Sequence, residues 1–302
     1  MSNLNLSIII PSLGEDSLKK ILNNIIHSSV LPKEVIVCLP EDKYHSYVTE
    51  YNQNKKIKFN LFFLKTKIKS QVYQRLEAFK FSKNNNILQL DDDIFFDKFF
   101  LNNFYSTYLK LTNSNRNKSI CLGPTYKYLN NNKFVHSYGF YHRNNLSKFI
   151  YNLYFFFFHK FPFGYRKLGK VSCNSVSFGV CISAENINFV KTDWLPGGMI
   201  LMDRKYFIDY IYHDLNLKKE FTEDIISSYL RRRDKNVQHM VSTKNIVYIE
   251  SPKKIFSLQS EFDEFRSRLL YIKITKGSYL YFFLWYLFYF FIKNLKKIYD
   301  RK

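Results

Sequence analysis

Neither a dinucleotide-type glycine fingerprint nor a Walker-type lysine loop occurs in the 302 residues, and glycine is scarce, at 9. Any nucleotide must therefore have its phosphates held by metal and basic side chains, because the cradle of glycine amides is missing. Cysteine is sparse too. Cys38, Cys121, Cys173 and Cys181 lie too far apart for a clustered metal site, and Cys38 and Cys121 fall in apolar, strand-like runs. Reduced core thiols and a cytosolic compartment are the expectation. The N-terminus shows no basic segment followed by a long apolar stretch and cleavage site, entering a strand directly at Leu6, so no secretion signal is expected. A bilayer crossing needs about twenty apolar residues. The longest run, Tyr279 to Ile292, has fourteen.

Acidic residues are the scarce charge. Lys plus Arg number 46 against 25 Asp plus Glu, a net charge of +21. The partners implied are anionic: nucleotide phosphates, acidic lipid headgroups or nucleic acid. An apolar content of 46% is ample for the core of one large α/β domain or two small ones.

Against this background, three consecutive carboxylates stand out in Gln89 to Phe96, QLDDDIFF. Ile87, Leu88 and Leu90 read as a short buried strand that ends at Asp91, Asp92 and Asp93. In an open α/β sheet, ligands sit beyond the carboxyl ends of the strands. Three adjacent anions repel one another unless a cation lies between them, and Mg2+ or Mn2+ prefers such oxygen ligands. The alternative is that the triplet starts a turn and caps the next helix, a task that Asp97 could perform alone.

In chain order, Leu6 to Ile10 is a β-branched run stopped by Pro11. Leu18, Ile21, Leu22, Ile25 and Ile26 follow at helical spacing, and Glu34 to Leu39 gives a second strand, making a parallel β-α-β unit. Ile57 to Leu64 is a third strand. A helix from about Gln71, with Val72, Leu76 and Phe79 on its face, leads to the acidic strand end. Ser119 to Gly123 is a further strand. Trp194-Leu195-Pro196-Gly197-Gly198-Met199 reads as a rigid, glycine-hinged loop feeding Ile200 to Met202, with Asp203 as a cap. Thr222-Glu223-Asp224 opens a helix bearing Ile225, Ile226, Tyr229 and Leu230. Asp224 is either part of a capping box or an anion placed in a helix's first turn for chemistry. Arg231, Arg232 and Arg233 read as a solvated helix end, a lipid contact, or a reach toward phosphate.

Two aromatic stretches suggest a membrane surface. Ile150 to Phe158, with four consecutive phenylalanines, is bracketed by Lys148, Lys160, Arg166 and Lys167, and Tyr279 to Ile292 is followed by Lys293, Lys296, Lys297, Arg301 and Lys302. Aromatic surfaces ringed by basic residues suit the headgroup level, although core burial of the first stretch fits its residues equally.

Over roughly Leu6 to Val237, the order LSIIIPSLG, Gln74-Arg75, LDDDI, GGMILMDRKYF, TEDIISSYLRRR resembles the family 2 glycosyltransferases of the GT-A fold, inverting enzymes that use nucleotide sugars. The resemblance implies a Rossmann-like, mostly parallel α/β sheet flanked by helices. It implies that Pro11 and Ser12 meet the nucleotide, that Arg75 lies on the helix before the metal strand, and that Asp93 ligates Mn2+ or Mg2+. Asp91 then contacts ribose or metal, with Asp92 as the register alternative. Trp194, Gly197, Gly198 and Glu223 fall on the acceptor side, and Asp224, 131 residues beyond Asp93, serves as base. The acidic pair usual after the second strand is displaced to Glu41 and Asp42, which leaves the nucleobase open.

The implied organisation is a catalytic unit over 1–255, its nucleotide-sugar half 1–125 and acceptor half 126–255, then a basic, aromatic membrane-associating segment over 256–302. The implied partners are a nucleotide-sugar donor, a glycan or lipid-linked acceptor and the inner face of the cell membrane, in surface polysaccharide assembly; a polyprenyl phosphate acceptor is the alternative. A nucleic-acid-binding reading explains the charge and the 19% aromatics. It does not explain an acidic triplet, which repels phosphate.

Overall fold

A computed structural model describes residues 3–52, 57–115, 117–135, 145–164, 168–180, 187–207, 222–250 and 257–299. Arg166, Lys167, Cys181, Arg301 and Lys302 lie outside the described residues.

The first half alternates strand and helix: β1 (Leu4–Pro11), α1 (Asp16–Ile26), β2 (Pro32–Pro40), α2 (Glu41–Asn52), β3 (Asn60–Thr66), α3 (Gln71–Phe81) and β4 (Asn86–Leu90). After β5 (Ile94–Phe95) come α4 (Phe100–Ser114), β6 (Ser119–Tyr128), α5 (Asn145–His159), β7 (Phe189–Thr192) and β8 (Met199–Asp203). A short 3-10 turn, Arg204–Tyr206, precedes α6 (Glu223–Arg232), β9 (Val237–Ile249), α7 (Leu258–Thr275) and α8 (Tyr279–Tyr299). The strands form one sheet in the order β3-β2-β1-β4-β8-β6-β9-β5, with β7 paired to β9.

Strand alternation explains the burial. Ile8, Ile10, Leu88, Leu90, Met199 and Leu201 enter one core with α1 and α4, while Ile9, Ile87, Ile200 and Met202 enter the other with α3, α6, α7 and α8. Successive side chains leave a strand on opposite faces, so runs without polar breaks are required where helices cover both. Cys38 and Cys121 are free buried thiols, and removal from water pushes Cys38 up to about 12 and Cys121 up to about 11.

Several boundaries depart from the sequence reading. The third strand starts later, because Asn60 pairs with Glu34 and the ladder runs on to Thr66 opposite Pro40. Glu41 and Asp42 open helix α2, whose Tyr47 and Tyr51 join the core. Arg231 is buried, donating to Ser227 Oγ at 3.0 Å, Arg232 is half-buried and pairs with Asp193 at 3.5 Å, and Arg233 is exposed, so the run turns inward only at Arg231. Ile150 to Phe158 forms part of a helix whose inner residues, Phe155 among them, are buried.

The strand directions fix where the site lies. β1, β2, β3 and β4 are parallel, so Ser12, Glu41 and Asp91 all emerge at one edge. β8 runs antiparallel to β4 with Met199 opposite Leu90, so the residues entering β8, Gly197 and Gly198, arrive at the same edge.

Candidate functional site

The geometry centres on Arg75, fully buried although α3 reads as carrying only an apolar face toward the sheet. Its Nη2 donates to Asp91 Oδ1 at 2.6 Å and its Nη1 to Glu223 Oε1 at 2.8 Å. One guanidinium thus ties the acidic strand end to the first turn of α6. The planar fork can serve two carboxylates at once, which an ammonium point charge does less well. Gln74, its buried neighbour, donates to the carbonyls of Ser12 and Cys38 at 2.9 and 3.2 Å, anchoring α3 to the ends of β1 and β2.

The acidic triplet divides its labour. Asp91 has a structural task as well as its place at the strand end: besides the Arg75 pair, its N–H donates to the Gly198 carbonyl at 2.7 Å. Removal from water, offset by Arg75 and reinforced by the neighbouring Asp93 charge, pushes its carboxyl up to about 7. Asp92 accepts a hydrogen bond from the Ser12 hydroxyl, which also accepts from the Gly14 N–H at 3.0 Å. Asp93 is exposed. The short β5–β9 ladder, Ile94 opposite Ile249, brings Glu250 beside it, and the two charges repel. Asp97 accepts from the Phe99 N–H at 2.7 Å, so the helix start is served without the triplet.

In the first turn of α6 no capping box forms: Thr222 has φ 58° and its side chain caps nothing. Asp224 is half-buried, accepts from the Ile225 N–H at 2.8 Å, and is pushed up to about 7 by removal from water and then by the Glu223 charge. Glu223 is buried, with Oε1 on Arg75 and Oε2 without a hydrogen-bond partner.

The two glycines are present for closeness. Gly197 and Gly198 have no left-handed backbone, yet a Cβ on Gly197 would collide with Glu223 Oε1 and sit 3.5 Å from Asp224 Cβ. On Gly198 it would sit 3.0 Å from Ile94 Cδ1 and 3.5 Å from Asp91 Oδ2. The loop, read from sequence as rigid and glycine-hinged, is pinned on both sides of Pro196. Gln89 donates from its amide to the Gly197 carbonyl, and the Leu195 N–H donates to Ser228 Oγ at 3.1 Å. Gly197→Ala is expected to cost about 1–3 kcal/mol and to displace Glu223 from Arg75. Gly198→Ala meets one flexible methyl and should cost less; urea unfolding of both variants measures the difference, and equal stability would contradict this packing.

The remaining sequence-predicted residues are more peripheral. Pro11 ends β1 in register with Cys38, and Glu41 is exposed on Lys65 at 2.9 Å, a hydrogen bond that lowers its carboxyl. Trp194 is buried with its indole N–H on the Phe178 carbonyl at 3.0 Å, so it supports the loop from below. Glu250 and Gln89 escaped the sequence reading. Gln89 left a trace, a polar residue inside an apolar strand; Glu250 left none, because only strand pairing brings it to Asp93.

Two carboxylates, Asp91 just beyond β4 and Glu223 of α6, thus hold one guanidinium, with Asp92, Asp93 and Asp224 adjacent to them in sequence. No protein-family profile and no curated protein sequence matches this chain. Solved structures do share its fold. S. aureus TarS 1–349 in complex with UDP-GlcNAc superposes with a TM-score of 0.52 at 15% identity, over 91% of this chain and 68% of that one. S. aureus TarS 1–349 alone gives 0.50 at 16%, over 91% and 66%. GalNAc-T7 with UDP, GalNAc and Mn2+ gives 0.55 at 12%, over 87% of this chain and 47% of that one. The chain therefore spans about two thirds of the TarS fragment and about half of GalNAc-T7. These likenesses show the fold alone: a GT-A-type α/β architecture with a central sheet flanked by helices, as expected from the sequence, the sheet being mixed, with β4–β8, β6–β8, β5–β9 and β7–β9 antiparallel.

Proposed function

We propose that this chain transfers a sugar, with inversion, from a nucleotide-diphosphate donor, a UDP-sugar, to a saccharide or lipid-linked saccharide, as a family 2 enzyme of surface polysaccharide assembly. The observation that carries the reading is the Arg75 bridge, which ties Asp91 of the acidic triplet to Glu223, the residue before the candidate base Asp224. The UDP-GlcNAc in TarS and the UDP and Mn2+ in GalNAc-T7 support it by analogy of fold.

The donor set suits a divalent ion. Asp91 Oδ2 and Asp93 offer hard oxygen ligands, and Mg2+ or Mn2+ held by one or two carboxylates completes its shell with water and substrate phosphate. Among the described residues, no group of three or more His, Cys, Asp or Glu side chains that could hold a metal ion is present. When bound, the ion offsets charge on the departing diphosphate. Arg75 holds Asp91 in place through its other oxygen. Pro11, Ser12 and Asp92 border the nucleotide, with Glu41 at the outer rim. Gly197 and Gly198 bring the acceptor-side backbone against the acids, over Trp194. Asp224 takes the proton of the attacking hydroxyl, and a carboxyl near 7 suits a base working at neutral pH.

Asp93→Ala is expected to remove Mn2+-dependent transfer from UDP-sugars and to weaken Mn2+-dependent UDP binding in calorimetry. Full activity of the purified variant would overturn the assignment. A polyprenyl phosphate acceptor uses the same residues, and an acceptor screen separates the two.

A further inference from the structure

We infer that the outward faces of α5 and α8 form one surface that docks on an anionic lipid bilayer. The two aromatic stretches lie far apart in sequence, but the fold joins them. Phe158 stacks on Phe288 at 4.8 Å, the Trp285 indole N–H donates to Tyr154 Oη at 3.2 Å, and Lys160 lies 4.7 Å over the Tyr281 ring. The inward residues of α8, Phe282, Trp285 and Tyr286, are buried, and Lys293 fastens the helix to Glu261 and Glu264 of α7 at 2.8 Å. α8 is therefore held as part of the folded unit.

What remains outward is apolar. Leu280, Leu284, Leu287 and Phe291, spaced along one helical stripe, are 73%, 58%, 68% and 61% exposed. On α5, Phe149, Ile150, Phe156 and Phe157 are at least half exposed. A water-facing helix places charges at such positions, and contiguous apolar surface of this kind marks an interaction site. No helix among the described residues is long and apolar enough to cross a membrane, so the contact is one of lying on the surface.

Charge identifies the occupant. Residues 145–164 and 265–299 together hold nine Lys or Arg and no Asp or Glu; Arg268 and Lys293 are engaged by Glu261 and Glu264 at the start of α7, which leaves seven, Lys148 and Lys160 of α5 among them, with no acidic residue in either segment. A second copy would set these cations against their own kind. Acidic headgroups neutralise them while the aromatic and leucine side chains enter the acyl boundary.

The test is flotation of the full chain with vesicles of phosphatidylcholine containing phosphatidylglycerol, beside vesicles of phosphatidylcholine alone. The wild type is expected to float with the acidic vesicles and much less with the neutral ones. Phe156→Glu with Phe157→Glu, and separately Leu284→Glu with Leu287→Glu, should each lower the bound fraction roughly tenfold or more, given the apolar area withdrawn. Because these side chains are exposed, the thermal midpoint should be unchanged, and the readout needs no sugar transfer. Either double variant floating like the wild type would sink the shared face. A wild type that stays unbound, yet is a dimer that both double variants dissociate, would overturn the lipid assignment in favour of a second copy.

Discussion

Asp224→Asn is expected to lower turnover by roughly 10²–10⁴-fold, the usual worth of a positioned general base, while UDP binding stays near wild type. The amide keeps the shape and can still accept from the Ile225 N–H, but it cannot take a proton. The wild-type pH profile carries the sign. Burial and the Glu223 charge raise Asp224 to about 7, so the competent, ionised form is lost as pH falls through that value. kcat/KM should rise with pH to a plateau, with its midpoint near the raised Asp224 value. A flat profile from about pH 5 to pH 9, or an Asn variant with full turnover, would remove Asp224 from the role of base.

Arg75→Ala should be the most damaging single change to the fold near the site. It strands two carboxylates, Asp91 and Glu223, where the fully buried guanidinium had paired them, at a cost of about 3–5 kcal/mol. Arg75→Lys keeps the charge but cannot fork to both partners, so its loss of stability should be intermediate. Urea unfolding orders the three proteins. A double-mutant cycle with Glu223→Gln should show strong coupling, since removing one carboxylate relieves part of what the missing cation leaves behind. Alanine with wild-type stability would mean that the bridge contributes nothing, and the link between the acidic triplet and α6 would lose its physical basis.

Much of this was readable from residue order. The apolar run Leu6 to Ile10, the helical spacing from Leu18 to Ile26 and the strand before Asp91 are local patterns, and local patterns survive without knowledge of the fold. Glu41 was visible as an acid after the second strand, but not as the start of a helix, because EDKYHSYVTEYN carries little apolar periodicity. Arg231 was misjudged for a related reason: an arginine beside two others reads as solvated, and only the packing of α6 on β8 encloses it.

The glycines taught the sharper lesson. Gly197-Gly198 reads as a hinge because glycine is permissive, whereas here it is the missing Cβ that lets a backbone approach Glu223 and Asp91.

The one-dimensional chain, then, determined which residue types were available: the acidic triplet, the second acidic pair, the arginine ahead of the strand, and two aromatic stretches short of a membrane span. Tertiary structure alone decided their company. Antiparallel insertion of β8 beside β4 carried the glycines to the acids, the burial of α3 placed Arg75 between Asp91 and Glu223, and the packing of α8 on α5 brought two aromatic segments into contact. The reason is physical: helix and strand periods are written over a few neighbouring residues, whereas the pairing of charges depends on which distant surfaces a folded sheet sets face to face.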